Sequence, residues 1–257
     1  MKAKIYFPSD ALKQFVKSYR IIESKGELVN RVLPGTSFAM AFRFSGQISY
    51  INETVKMALP AGVFSGLRKS FRLINYAPET SALIVEFCET GVSAFFRQPL
   101  HGLFEESVSL DNFFLQSEVS IIEEQLAASG NNYERITIIE TFLYSKLLLY
   151  KPDNLVAEAI RRIYSGKGML RISELSKSLF ISQDAFEKRF RRVTGTTPKQ
   201  FSAIVKMKCI IGQNYASASL LDIALDNGYY DQPHFNKDFK LFTGLTPTDF
   251  FKSGQYW

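Results

Sequence analysis

Histidine and cysteine are scarce, with two of each in 257 residues. A divalent ion needs several nitrogen, sulfur or oxygen donors converging on one point. His101 and His234 stand alone, with no partner at ligand spacing, so no metal site is expected. Cys88 and Cys209 fall in different halves of the chain. No disulfide framework is encoded, which suits a reducing cytoplasm. No glycine-rich loop with phosphate-binding spacing occurs, and no cofactor is expected. The start, MKAKIYFPSD, lacks the apolar centre of a secretory signal. No apolar run approaches the ~18 residues of a membrane span, so a cytoplasmic location is expected.

What is present is an ordinary globular composition, 46% hydrophobic and 22% charged, in a chain long enough for two domains. Charge is divided unevenly. Residues 1–150 carry 15 basic and 15 acidic side chains, while residues 151–257 carry 16 and 10, so the whole excess of +6 lies in the second half. A polyanion-binding domain requires such an excess.

The C-terminal half is organised around Leu220–Phe250. Ser219 followed by Asp222 is a capping box, so a helix should start at Leu220. Leu220, Ile223 and Ala224 give it an apolar stripe, and Gly228 supplies the left-handed residue that ends it. Asp231 caps a second helix, Pro233 lies in its first turn, and Phe235, Phe239 and Phe242 recur at helical spacing. Read alone, this is a helix-turn-helix or a plain helical hairpin. The preceding sequence breaks the tie. SQDAFEKRFRRVTGTTPKQF, 182–201, aligns with DQPHFNKDFKLFTGLTPTDF, 231–250, with nine identities in twenty positions. The helix before each also matches, Glu174-Leu175-Ser176 with Asp222-Ile223-Ala224. Two copies of one unit are a signal of fold.

With Gly228, Asp231-Gln232, His234-Phe235, Lys237, Phe239-Lys240, Gly244, Thr246-Pro247 and Phe250 at these spacings, residues 153–252 resemble the AraC/XylS family of bacterial transcription regulators. Two departures stand out. Phe180 occupies the place of the first turn's glycine, and Arg189 and Asp238 occupy positions the family usually keeps apolar. The resemblance implies an all-α DNA-binding domain at 151–257, with helix-turn-helix motifs at about 172–201 and 220–250. A long helix from Pro198 to about Tyr215 would join them and set the two recognition helices in successive major grooves. It also implies double-stranded DNA and RNA polymerase as partners, and a cupin-like sensor or dimerisation domain before residue 151. An enzyme is not implied.

Residues 1–150 read as a β-rich domain ending in two helices, which makes the chain an α+β protein of two domains. Phe38, Met40, Phe42 and Phe44 alternate with smaller residues; Val55, Met57 and Leu59 do the same, and so do Leu83, Val85 and Phe87, each set suggesting a strand with one buried face. Turns every ten or so residues suggest a barrel or sandwich. Phe38, Met40, Phe42, Phe44, Val85 and Phe87 either line a pocket for an apolar effector or fill the core. Glu86, opposite the apolar set, reads as a solvent-facing carboxylate. Beyond residue 111 the chain turns helical, with Val119, Ile122 and Leu126 in one helix and Tyr133–Tyr150 forming another. The second carries apolar residues around most of its circumference, which predicts burial on more than one side, against the β domain and against either a second copy of the chain or the C-terminal half. Lys151-Pro152-Asp153 is the expected linker.

Spacing places Asp184, Glu187, Lys188 and Arg191 outward on the first recognition helix, and Pro233, Asn236, Lys237 and Lys240 outward on the second. Lysine donates to guanine, glutamine and asparagine pair with adenine, and glutamate accepts from cytosine. The base-reading candidates are therefore Gln183, Glu187, Lys188, Gln232, Asn236 and Lys237. Arg171, Arg191, Arg192, Lys240 and the helix starts at Ser182 and Asp231 are phosphate candidates. Two other functional readings stay open, a DNA-targeted enzyme with its chemistry in the β domain and a non-specific architectural DNA binder. The first needs a reactive cysteine cluster, and Cys88 is isolated.

Overall fold

The computed structural model describes residues 1–52, 55–96, 98, 100–213 and 219–253. Its N-terminal part holds ten strands in two antiparallel sheets. These are β1 (Lys2–Tyr6), β2 (Val16–Ser24), β3 (Leu28–Val32), β4 (Ala39–Ser45), β5 (Ile48–Asn52), β6 (Val55–Ala58), β7 (Gly62–Ser65), β8 (Arg72–Tyr76), β9 (Thr80–Phe87) and β10 (Ser107–Ser109). The larger sheet has the order β1-β2-β9-β4-β7-β10, the smaller β3-β8-β5-β6.

The larger sheet has two unlike faces, because alternate residues point to opposite sides. One face carries Tyr19, Ile21, Met40, Phe42, Phe64, Leu83, Val85 and Phe87, all buried. Helices α1 (Gln116–Ala128) and α2 (Asn132–Lys146) cover it through Val119, Ile122, Leu126, Ile139, Phe142 and Leu143. Fully burying each such side chain contributes roughly 1.5–3 kcal/mol, so this layer is the N-terminal core. The other face carries Arg20, Ala39, Ala41, Ser65, Ile84 and Glu86, all half-buried, and looks toward the smaller sheet. There Arg72 of β8 crosses the gap to donate to Ser107 Oγ of β10.

This arrangement settles the alternation in favour of core. Phe38, Met40, Phe42, Val85 and Phe87 are at most 1% exposed. Phe38 stacks on Phe64 at 5.5 Å, and Phe42 meets Phe142 edge-on at 6.1 Å. Half-buried Phe44 lies 4.4 Å beneath the Arg135 guanidinium. These six residues pack under the helices, on the side of the sheet away from its partner sheet, and do not line a pocket between the sheets. Glu86 is half-buried and not free in solvent: it accepts from Ser18 Oγ at 2.9 Å and Arg20 Nη2 at 3.1 Å on the neighbouring strand. Strand β6 lacks the buried face its alternation suggested. It lies at the sheet edge, and Val55 and Met57 are exposed. Helix α2 ends at Lys146 and not at Tyr150, since Leu148 N–H turns away to donate to the Ala94 carbonyl.

The C-terminal part contains α3 (Asn154–Ser165), α4 (Ile172–Ser178), α5 (Gln183–Thr194), α6 (Pro198–Ile211), α7 (Leu220–Asp226), α8 (Gln232–Thr243) and α9 (Pro247–Ser253). The starts of α5, α7 and α8 have the side-chain caps their sequence called for. Ser182 Oγ accepts from Ala185 N, Ser219 Oγ from Asp222 N and Asp231 Oδ1 from His234 N. At α6, Thr197 and Gln200 form a capping box with Pro198 at the first position. Helix α6 is shorter than expected, stopping at Ile211; the end anticipated at Tyr215 lies outside the described residues. Two phenylalanines per copy, Phe186/Phe190 and Phe235/Phe239, are wholly buried behind the recognition helices.

Both family departures have a physical explanation. Arg189 lies beside the packing face. It reaches Asp153, the N-cap of α3, at 2.6 Å and so ties α5 to α3, while Asp238 sits 3.6 Å from His234 on the surface. Phe180 takes the left-handed backbone expected of glycine, with φ 55° against 70° at Gly228, and its ring is 98% exposed. The turn survives at the expense of strain, since a non-glycine residue in this region costs about 1–2 kcal/mol. Phe180→Gly should therefore raise stability by ~0.5–1 kcal/mol after the added freedom of the unfolded chain is counted; urea denaturation measures it, and a loss would refute the strain. Asp153 also caps α3 by accepting from Val156 N at 3.1 Å. Burial raises its pKa, but the hydrogen bonds from Arg189 and Val156 outweigh that and hold the carboxyl below its ordinary value. Asp153→Ala should cost about 2–3 kcal/mol at neutral pH, a cap plus a shielded ion pair. The folded pKa is the lower one, so this stabilisation is full above the ordinary carboxylate range and fades as pH falls through the lowered value. The difference between parent and variant should shrink accordingly in acid.

Candidate nucleic-acid interface

Helices α4/α5 and α7/α8 build two copies of one unit. In each, a short helix ends on a left-handed residue and a capped second helix presents a polar face, while its phenylalanines anchor it from behind. On α5 the exposed residues include Gln183, Asp184, Lys188, Arg191 and Arg192, with Glu187 half-buried. On α8 they include Pro233, Lys237 and Lys240, with Gln232 and Asn236 half-buried. The phenylalanines lie on the buried side of both helices, while Glu187 and Asn236, expected outward, are half-buried.

The two faces differ electrostatically. On α5, Gln183 Nε2 donates to Glu187 Oε1 at 3.0 Å, so two base-reading candidates hold each other across one helical turn. Arg192 lies 3.6 Å from Asp153, already engaged with Arg189. Arg171 precedes α4 and pairs with Glu174 at 3.5 Å. On α8, Asn236 Oδ1 is shielded from solvent and has no hydrogen-bond donor among the described residues. Among the described residues no carboxylate lies within ion-pair distance of Lys188, Arg191, Lys237 or Lys240. These four cations are exposed and, among the described residues, outside any ion pair. Ser182 and Asp231 are occupied as caps, so what they offer a phosphate is the helix N-terminus they define and not a free side chain.

One neighbour was not legible from the motif. His101, in a 3-10 turn over Leu100–Leu103, lines a cleft of about 450 Å³ with Asp184, Glu187, Lys188, Arg191 and Arg192. The 81 residues 102–182 separate it from α5, so no sequence spacing could have paired them. Among the described residues no group of three or more His, Cys, Asp or Glu side chains is placed to hold a metal ion.

The N-terminal part also seats against the ends of both recognition helices. Gly195 and Gly244, which end α5 and α8 at equivalent repeat positions, have φ 71° and 79°. A Cβ on Gly195 would fall 2.5 Å from Phe38 Cζ and 3.0 Å from the Leu100 carbonyl oxygen; on Gly244 it would fall 2.6 Å from Phe71 Cζ. Glycine is required at both for its backbone conformation and for the close approach. A third contact joins the halves at α3. The Tyr164 hydroxyl donates to Glu89 Oε1 at 2.5 Å, and Thr36 Oγ1 donates to the same oxygen at 3.2 Å. Burial and then Glu89 push the Tyr164 phenol well up, so it stays a donor.

Residues 175–253 match the family model of a helix-turn-helix domain, and residues 4–109 match a domain of unknown function (DUF6597). No match was found among curated proteins. Among solved structures, ToxT from Vibrio cholerae aligns with 97% of this chain and 97% of its own, at 10% identity and a TM-score of 0.45. ToxT bound to an unsaturated fatty acid, from a Vibrio cholerae strain, aligns with 90% and 93%, at 12% identity and a TM-score of 0.44. A probable AraC family transcriptional regulator from Rhodopseudomonas palustris aligns with 40% of this chain and 100% of its own, at 21% identity and a TM-score of 0.35. The helix-turn-helix match falls on the repeated unit whose caps, buried phenylalanines and cationic outer faces are described above. On that combination residues 175–253 form a helix-turn-helix domain, the kind of DNA-binding unit that the resemblance to the AraC/XylS regulators implies.

Proposed function

We propose that the chain is a sequence-specific regulator that reads double-stranded DNA with α5 and α8 in successive major grooves. The division falls at residues 150/151, with the motifs at about 172–201 and 220–250. The observation that carries this reading is the set of four exposed cations, Lys188, Arg191, Lys237 and Lys240, on the outer faces of the two repeated helices. Lys188 and Lys237 occupy equivalent positions and read guanine edges. Gln232 and Asn236 read adenine, and the unsatisfied Asn236 oxygen gains a donor on binding. Gln183 and Glu187 exchange their mutual bond for base contacts. Arg171, Arg191, Arg192 and Lys240, with the α5 and α8 N-termini at Ser182 and Asp231, hold phosphates. Helix α6, with 14 residues at ~1.5 Å each, is about 21 Å long. That is shorter than the roughly 34 Å between successive major-groove sites, so the packing of α5 and α8 away from its two ends supplies the rest.

The N-terminal part serves as sensor or dimerisation domain. Its packing on Gly195 and Gly244 supports control over how the two recognition helices are presented. A second copy of the chain docks on the exposed side of α2, where Tyr133 and Tyr144 are open to solvent. RNA polymerase is the further partner through which such a regulator acts, in the cytoplasm. No helix of the described residues is long and apolar enough to cross a membrane, and no membrane partner is assigned. The role is binding, with no reaction catalysed.

Lys237→Ala should weaken binding to a selected DNA site by ~1–3 kcal/mol and relax preference at one base position; equal affinities of parent and variant across a panel of sites would overturn its assignment. Binding should fall steeply with added salt, as expected when several phosphates are neutralised and their counterions released. A flat salt response in a titration at two or more salt concentrations would count against the DNA reading as a whole.

A further inference from the structure

The segment between β7 and β8 brings two arginines to one end of the gap between the sheets. Arg72 is fixed there. Its guanidinium donates to Ser107 Oγ and to the Glu105 carbonyl, and lies 5.3 Å from the centre of the Tyr50 ring. Arg68 is not fixed. Among the described residues it has no carboxylate at ion-pair distance, and its Nε is shielded from solvent without an acceptor. The charged groups around it are Arg72, of like sign, and Glu105, whose carboxylate is taken by Lys69 Nζ at 3.3 Å and by Lys69 N–H at 3.0 Å. Burial, and after it Arg72, pull the Arg68 guanidinium down to about 10. A shielded cation beside a second cation is costly unless an anion completes the site. Around the pair lie further polar groups, Ser65 and Ser107, whose hydroxyl oxygens are 2.8 Å apart.

We propose that Arg68 and Arg72 bind the carboxylate or phosphate group of a small metabolite between the two sheets. Two planar guanidinium forks match an oxyanion better than any point charge would. The Tyr50 ring and the Ser65/Ser107 pair border the site. A residue between the two arginines gives the site a consequence: Phe71, just before β8, is the ring seated on Gly244 at the end of α8. A ligand that orders residues 68–72 therefore acts on the seat of the second recognition helix. This proposal rests on the reading of the N-terminal part as a sensor and names the chemistry it senses.

The test uses the full chain without DNA. Thermal melting is followed against inorganic phosphate in one arm and acetate in another, with ionic strength held constant by chloride. At least one of the two should raise Tm saturably, and which one does so separates phosphate from carboxylate. Arg68→Gln should abolish the rise, and without anion it should melt no lower than the parent, because it removes a shielded charge that has no carboxylate at ion-pair distance among the described residues. Arg68→Lys keeps the charge, loses the fork, and should weaken the apparent Kd about tenfold. An absent response to both anions, equal responses in parent and Arg68→Gln, or equal affinities in parent and Arg68→Lys would overturn the site. In hydrogen exchange the effective anion should slow amides of residues 232–243 in the parent and not in Phe71→Ala. Unchanged exchange in the parent would overturn the link to α8. With no DNA present, failure here leaves the DNA-binding reading standing, and failure of DNA binding leaves this site standing.

Discussion

Two backbone glycines hold the halves of this protein in register. A recognition helix must end somewhere, and Gly195 and Gly244 end α5 and α8 in the left-handed conformation that releases the chain into the next helix. The same absence of a side chain lets Phe38 and Phe71 approach to distances that a Cβ would forbid. A residue needed for a local turn is thereby also the contact point for another part of the fold. Because the two glycines are repeat equivalents, the β-rich part touches both DNA-reading units at the same structural position. The buried apolar cluster then runs without interruption from the β-sheet through its helices into the C-terminal helices.

That seating makes sense of the two faces of the larger sheet. Its apolar face is consumed by packing. Rings at Phe38, Phe64, Phe87 and Phe96 pack against one another as buried core. Its other face carries small and polar groups that stay partly accessible although a second sheet stands opposite. Alanines at 39 and 41 keep that face low, and the serines and arginines around them give it a polar character that the apolar face lacks. Aromatic richness is therefore a poor guide to a pocket in this chain, since the aromatics are what close the core.

The legible features were those set by short-range chemistry. Ser182, Ser219 and Asp231 announced helix starts because a side chain two or three residues from an orphan N–H can hardly do anything else. The nine identities between 182–201 and 231–250 announced the repeated unit, and phenylalanine spacing separated inner from outer faces. Alternation in β4 and β9 revealed that each strand has two faces but could not say which neighbour covers which, and so Glu86 was placed in solvent. The pairing of His101 with α5, of Arg189 with Asp153 and of Phe71 with Gly244 depends on contacts across long stretches of chain, to which local periodicity is blind. Phe180 lies between these cases. Its identity argued against a left-handed turn, but the packing of α4 and α5 on either side imposed one, as tertiary context can when the strain is small beside the burial it permits.

The repeat also shows why equal ancestry need not mean equal work. Helix α5 shares its outer face with His101, joins two of its own polar side chains to each other, and lends Arg189 and Arg192 to the cap of α3. Among the described residues, helix α8 shows no such internal pairing of Gln232, Asn236, Lys237 or Lys240, and Asn236 Oδ1 has no hydrogen-bond donor. Binding exchanges existing contacts for new ones, so a face already engaged gains less from DNA than an open one. By that balance α8 should contribute the larger share of base discrimination. The first unit, held by the α3 cap and by residues 100–103, would act more as a positioned anchor. The strained turn at Phe180 and the relaxed one at Gly228 follow the same division, with the less adaptable geometry in the unit that is more firmly held.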